Sequence, residues 1–142
     1  EESGGYAFKN NMPERDGILS GLLLLEMMAL SGKSLSELLT LLESKVGSHH
    51  YDRIDIRIKE NQKNSLIERL VSSPLVSIGG KKVLNSDNTD GFRYTLDDEG
   101  SWLLIRFSGT EPLLRIYAEC QNSHDTQTIL NSALEIMEIG RD

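Results

Sequence analysis

At 142 residues, 38% hydrophobic and 26% charged, the chain is long enough for one core, or for a small domain with an appendage. Its composition is that of a folded globular protein, neither disordered nor membrane-embedded. Fifteen Lys and Arg stand against 22 Asp and Glu, a formal charge of −7, which argues against nonspecific nucleic-acid binding and requires any anion site to be built locally.

Residues 1–16, EESGGYAFKNNMPERD, are polar and Gly-rich and read as a loop. From Gly17 or Ile18 to about Ser31 the sequence ILSGLLLLEMMALS is apolar on nearly every face and predicts a helix buried on most sides, with Gly32 as its stop. Ser34, with Glu37 three residues on, forms a capping box that opens a second helix ending near Val46. Two short helices this apolar cannot cover themselves. The sheet or helices that bury them are expected N-terminal to Glu1. Without those partners, Leu22, Leu23, Leu24, Leu25, Met27 and Met28 are a candidate surface for self-association. The run Leu22–Leu25 is far too short to span a bilayer. The opening, Glu1-Glu2 with no basic region and no Met, reads as the later part of a longer chain, without a signal peptide.

The second segment, about residues 51–142, reads as a self-sufficient α+β unit. YDRIDIRI alternates, placing Ile54, Ile56 and Ile58 on one strand face. Residues 61–73 predict an amphipathic helix with Leu66, Ile67 and Leu70 inward, stopped by Pro74. Lys82–Asn85 and Gly91–Leu96 follow as strands around the turn-rich SDNTDG, and residues 97–100 form a hairpin turn. SWLLIRFS and LLRIYAECQ are two more strands. A last helix runs from about Asp125 to Ile139 with Ile129, Leu130, Ala133, Leu134, Ile136 and Met137 as its buried stripe. The expected fold is an antiparallel sheet with helices on one face, preceded by the helical remnant of an α/β domain. Cys120 is the single cysteine, which excludes an internal disulfide and fits a reducing, cytoplasmic compartment. The three histidines lack metal-ligand spacing, and no metal site is expected.

One loop concentrates chemistry. Arg106-Phe107-Ser108-Gly109-Thr110-Glu111-Pro112-Leu113-Leu114-Arg115 joins two predicted strands. Two guanidinium forks suit phosphate oxygens. Ser108 and Thr110 add hydroxyl donors, and Gly109 is expected to let the backbone turn sharply, so that successive amides converge on an anion. The same residues also suit a surface hairpin whose arginines pair with Glu111 or Glu119.

The string R-x-S-G-T-E-P-x-x-R resembles the C-terminal phosphate-binding signature of the α-D-phosphohexomutase family. EESGG at the N-terminus is similar to that family's sugar-recognition loop. PERDGI with the following apolar helix and GKSLSELL, then YDRIDI and DNTDGF, continue the likeness over essentially the whole chain.

The resemblance implies that residues 1–48 end a third, sugar-recognition domain and that residues 51–142 are a fourth, phosphate-binding domain. It implies an isomerase of carbohydrate metabolism, an intramolecular phosphotransferase interconverting hexose 1-phosphate and hexose 6-phosphate through a hexose 1,6-bisphosphate. The substrate phosphate would lie on Arg106, Ser108, Gly109, Thr110 and Arg115, and the sugar hydroxyls on Glu1 and Ser3. Glu111 and Pro112 are assigned chiefly to loop shape. The catalytic phosphoserine and the Mg²⁺ ligands would lie outside this chain, which alone would be inactive and would work with upstream domains of the same parent. EESGG favours a glucose- or glucose/mannose-type enzyme. Asn11 stands where many relatives carry histidine, which puts any acid–base role there in doubt, and Arg15 suits a helix-entry ion pair with Glu14 or Asp16 as well as it suits a substrate contact. The alternative is a noncatalytic phosphosugar-binding or regulatory module.

Overall fold

A computed structural model describes residues 5–139, with residue 60 described by its backbone alone. The chain divides between Val46 and Gly47 into two compact units. In the first, α1 (Gly17–Ser31) begins at Asp16, whose carboxylate accepts the Leu19 amide at 2.9 Å. It ends as the sequence predicts, with Gly32 in the left-handed region at φ 65° and its amide on the Met28 carbonyl.

The segment α2 (Leu35–Val46) starts on the expected capping box. Glu37 Oε2 accepts the Ser34 amide and hydroxyl, each at 2.8 Å, while Ser34 Oγ accepts the Glu37 amide at 3.3 Å. These bonds hold the Glu37 carboxyl below its usual pKa, the Ser34 amide contributing most. Because the folded value is depressed, the contribution is present at neutral pH and fades as pH falls through that lowered value. Ser34→Ala should lower stability by about 0.5–2 kcal/mol, visible as a reduced urea midpoint of the full-length protein. An unchanged midpoint would mean that the box holds nothing. Neither α1 nor α2 has a buried residue, and Ile18, Leu22, Leu25 and Leu30 are widely exposed. Among the described residues no single helix is long and apolar enough to cross a membrane.

The second unit contains β1 (His50–Arg57), α3 (Glu60–Ser72), β2 (Ser77–Ile78), β3 (Lys81–Asp87), β4 (Phe92–Leu96), β5 (Trp102–Phe107), β6 (Leu113–Cys120) and α4 (Ser123–Met137). The strands form one antiparallel sheet in the order β1-β6-β5-β4-β3-β2. Alternation decides the faces. Leu103 and Ile105 of β5 and Leu114, Ile116 and Ala118 of β6 are fully buried. They pack with Leu66 and Leu70 of α3 and with Ile129, Leu130, Ala133, Leu134 and Met137 of α4. Each such Leu or Ile contributes about 1.5–3 kcal/mol of burial. This is the expected α+β architecture, with the helices on one face. The opposite face carries Trp102, Leu104, Arg106, Arg115, Tyr117 and Glu119.

Two strand details differ from the sequence reading. β2 is not foreseen, because two residues show no alternation; it is defined by pairing with β3 across Gly79–Gly80. β3 runs on through Ser86 and Asp87, which pair with Tyr94 and Arg93, so the first third of the turn-rich SDNTDG is strand. Away from the loop, Lys81 Nζ reaches Asp98 Oδ2 and Asp125 Oδ2, each at 2.9 Å. The hydrogen bonds it donates to Asp125 and then Asp98 hold its ammonium charged far above its usual range. That triad ties β3, the β4–β5 turn and the first turn of α4 together.

Candidate functional site

β5 and β6 place Arg106 and Arg115 directly opposite each other across the ladder, on the face away from the helices. Like charges facing each other cost stability, so the pair calls for a compensating anion. Two acids supply part of it. Arg106 Nη2 lies 3.2 Å from Asp90 Oδ2, and Arg115 Nη2 lies 3.7 Å from Glu111 Oε2. Both carboxylates are more than half exposed, so solvent weakens these pairs and leaves them open to exchange. Of the acids that the sequence offers as hairpin partners, Glu111 does pair with Arg115. Glu119 is engaged by His49 Nδ1 at 2.6 Å.

Arg115 is only partly exposed, and its Nε is the buried side-chain donor left without a partner among the described residues. An unmet buried donor costs about 1–3 kcal/mol.

The turn between the arginines is closed by the Ser108 amide on the Leu113 carbonyl at 2.9 Å and the Leu113 amide on the Glu111 carbonyl at 2.7 Å. Ser108 Oγ accepts the amides of Thr110 at 3.4 Å and Glu111 at 3.2 Å. Two successive N–H groups therefore converge on one oxygen, the geometry of an anion nest that is filled here by the loop's own hydroxyl. The Pro112 carbonyl accepts the Ile58 amide at 3.0 Å, which fastens the loop to the residue just after β1. Below the loop, Phe107 packs edge-on against Phe92, with ring centroids 6.4 Å apart.

Gly109 corrects the sequence reading. It is not in the left-handed region, and a Cβ built on it meets nothing within 4 Å. The turn does not need glycine for its shape; what glycine provides is open approach to the backbone.

The structure thus brings Arg106, Ser108, Gly109, Thr110 and Arg115 onto one β5–β6 hairpin. Glu1 and Ser3 lie outside the described residues. Asn11 and Arg15 belong to the first unit; the Arg15 amide donates to Glu14 Oε1 at 2.9 Å, and Asp16 serves as the α1 cap. Three participants escape the sequence reading: Asp90, Gly91 and Lys63. Asp90 and Gly91 arrive through register, because Phe92 pairs with Ile105. Lys63 Nζ donates to the Ser108 carbonyl at 3.4 Å. A lysine in the turn before Leu66, Ile67 and Leu70 on the apolar stripe of α3 is a local oddity, but its partner is set by the fold. A concavity of about 700 Å³ opens elsewhere, between the end of β1, α3 and the end of α4, and contains none of the loop residues. No group of three His, Cys, Asp or Glu among the described residues could hold a metal ion.

Residues 1–46 match a family model described as phosphoglucomutase/phosphomannomutase, alpha/beta/alpha domain III, and residues 56–135 match one described as the C-terminal domain of the same proteins. A phosphoglucomutase/phosphomannomutase of Thermococcus kodakarensis is 30% identical over 138 residues, covering 97% of this chain and 28% of that protein. A phosphoglucosamine mutase of Methanococcus maripaludis is 30% identical over 142 residues, 99% of this chain and 29% of that protein. Among solved structures, a phosphoglucomutase/phosphomannomutase family protein from Burkholderia thailandensis superposes with a TM-score of 0.65 at 21% identity, over 99% of this chain and 28% of that one. That likeness concerns the fold. The chain spans less than a third of the length of these relatives.

Proposed function

This chain belongs to the phosphoglucomutase/phosphomannomutase family, and on that footing we propose that it supplies the phosphate grip of a phosphohexomutase. The observation that carries the reading is the pair Arg106 and Arg115, opposed on two strands around a turn whose amides converge. A phosphomonoester placed there would displace Asp90 and Glu111, meet the orphaned Arg115 Nε and take the amides now held by Ser108 Oγ. Charge-assisted bonds of this kind contribute about 1.5–3 kcal/mol each, enough to hold a phosphate on an acidic chain.

In this reading the hexose is held by its phosphate while the other end reacts, with interconversion of the 1- and 6-phosphates through a bisphosphate that turns over in the cleft. A grip made of charge, amides and hydroxyls accepts either end of the sugar. Residues 51–142 form this phosphate-binding domain. Residues 1–48 end the sugar-recognition domain, with Glu1 and Ser3 on the hydroxyls, and the exposed leucines of α1 pack against upstream parts of the same protein. Mg²⁺ supports phosphoryl transfer in such reactions by neutralising charge. We assign its ligands and the phosphoserine to other parts of the protein, and no step is derived through them. We place the reaction in the cytoplasm, where the thiol of Cys120 stays reduced.

The test is direct. The 142-residue chain should show no mutase activity, yet bind glucose 1-phosphate with a Kd near millimolar, about −4 kcal/mol, and more weakly in added salt. In NMR titration the amides of Ser108, Gly109 and Thr110 should shift most. Saturating ligand that moves none of them sinks the phosphate role. Gly109→Ala offers a second check. Since its Cβ meets nothing, stability should stay within about 0.5 kcal/mol while affinity drops. A variant that binds as tightly as the wild type would show that the ligand does not approach that backbone.

A further inference from the structure

We propose that Lys63 is a positioning residue of the phosphate site, aiming the Gly109 amide at the ligand through the Ser108–Gly109 peptide. The inference rests on the phosphate reading above and goes beyond it.

Lys63 is out of place for a helix that packs on a sheet. It stands three, four and seven residues before Leu66, Ile67 and Leu70, so it continues the stripe by which α3 meets the core. Leu66 and Leu70 are buried, and Ile67 packs against the same core. A charged residue at this position must run its methylenes along apolar surface and bring its ammonium out at an acceptor. That acceptor is a backbone carbonyl of the anion loop, Ser108 O, 3.4 Å away. Lys63 therefore holds the loop from the α3 side. The Ile58 amide, just after β1, holds it at Pro112, 3.0 Å away, so the loop is fastened near both of its ends.

Peptide geometry converts that anchor into a function. The backbone has no cis peptide among the described residues, and in a planar trans peptide the C=O and the next N–H point in opposite directions. Drawing the Ser108 carbonyl toward α3 turns the Gly109 N–H away from α3. That amide has no hydrogen-bond partner among the described residues, and the space around the Gly109 Cα is open. The neighbouring amides of Thr110 and Glu111 are already collected on Ser108 Oγ. Lys63 thus presents a third, unspent donor beside them. Its charge also adds to the field of Arg106 and Arg115 without an acid of its own in the loop.

The experiment uses the ¹⁵N-labelled 142-residue chain and glucose 1-phosphate, with Lys63→Met, Lys63→Arg and Arg115→Ala alongside the wild type. The ligand should move the wild-type Gly109 amide proton strongly downfield and slow its exchange. Lys63→Met should weaken binding roughly three- to tenfold and abolish most of the Gly109 shift at saturation, with amides outside the loop unchanged. Lys63→Arg should restore both. A Lys63→Met chain with unchanged affinity and an unchanged Gly109 shift overturns the proposal. So does one that binds weakly yet keeps the full Gly109 shift, because lysine would then be touching phosphate and not aiming the amide. If Lys63→Met does not fold, the wild type still decides: a Gly109 amide that neither shifts nor gains protection at saturation is a refutation. Failure of the underlying reading is separate, since there Arg115→Ala would bind like the wild type whatever Lys63 does.

Discussion

On the proposed phosphate-grip reading, Arg115→Ala in the full-length protein should raise KM for hexose phosphates and lower kcat/KM by roughly ten- to more than a hundredfold, the loss of one charge-assisted bond of about 1.5–3 kcal/mol. Arg115 is chosen over Arg106 because it is less exposed, 32% against 46%, and because its buried Nε has no partner among the described residues. A donor already stripped of water gains most when an anion arrives. Arg106→Ala should move the same constants in the same direction, less steeply. Arg115→Lys should rescue little, because an ammonium cannot reproduce the fork or reach with Nε. Stability should move the other way. Removing Arg115 relieves the opposed pair with Arg106 and the orphaned donor, so the thermal midpoint should hold or rise, a pattern expected of a residue kept for binding. Steady-state kinetics within twofold of wild type for both arginine variants would falsify the phosphate role.

Gly91→Ala should produce the largest loss of stability, about 2–5 kcal/mol. Its φ of +91° lies where a side chain is strained, at about 1–3 kcal/mol. A Cβ would also stand 2.6 Å from the Ile105 carbonyl oxygen and 3.3 Å from the Arg106 Cα. Those atoms are backbone of a central strand, so relief requires β4 to move off β5, at a typical overpacking cost of about 1–3 kcal/mol. The movement would also carry Asp90 away from Arg106. A urea midpoint for Gly91→Ala equal to that of wild type would show that the close approach does not constrain the sheet. The contrast with Gly109→Ala, expected to be silent in stability, separates a glycine required by the fold from one reserved for a ligand.

The sequence by itself determined the features whose causes lie within a few residues. The Ser34/Glu37 box and the Gly32 cap are local hydrogen bonding. The stripe of α4 and the alternation of β5 and β6 follow from helical and strand periodicities. The loop from Arg106 to Arg115 could be singled out because two forks, two hydroxyls and a glycine stand together in ten consecutive residues. The tertiary structure alone decided the rest. Ser77–Ile78 becomes a strand only because Lys81–Lys82 is there to pair with it. Asp90 reaches Arg106 only because β4 and β5 share a register. Lys63 meets Ser108 across 45 residues because α3 lies over that end of the sheet. Gly109 looked necessary for the turn until the backbone showed it outside the left-handed region. Arg115 is legible in the sequence as one of two forks, but only the fold shows that its Nε is buried. In each case the deciding quantity is a distance between residues remote in sequence, or the access of water to an atom. Chain closure sets both, and neither leaves a local pattern.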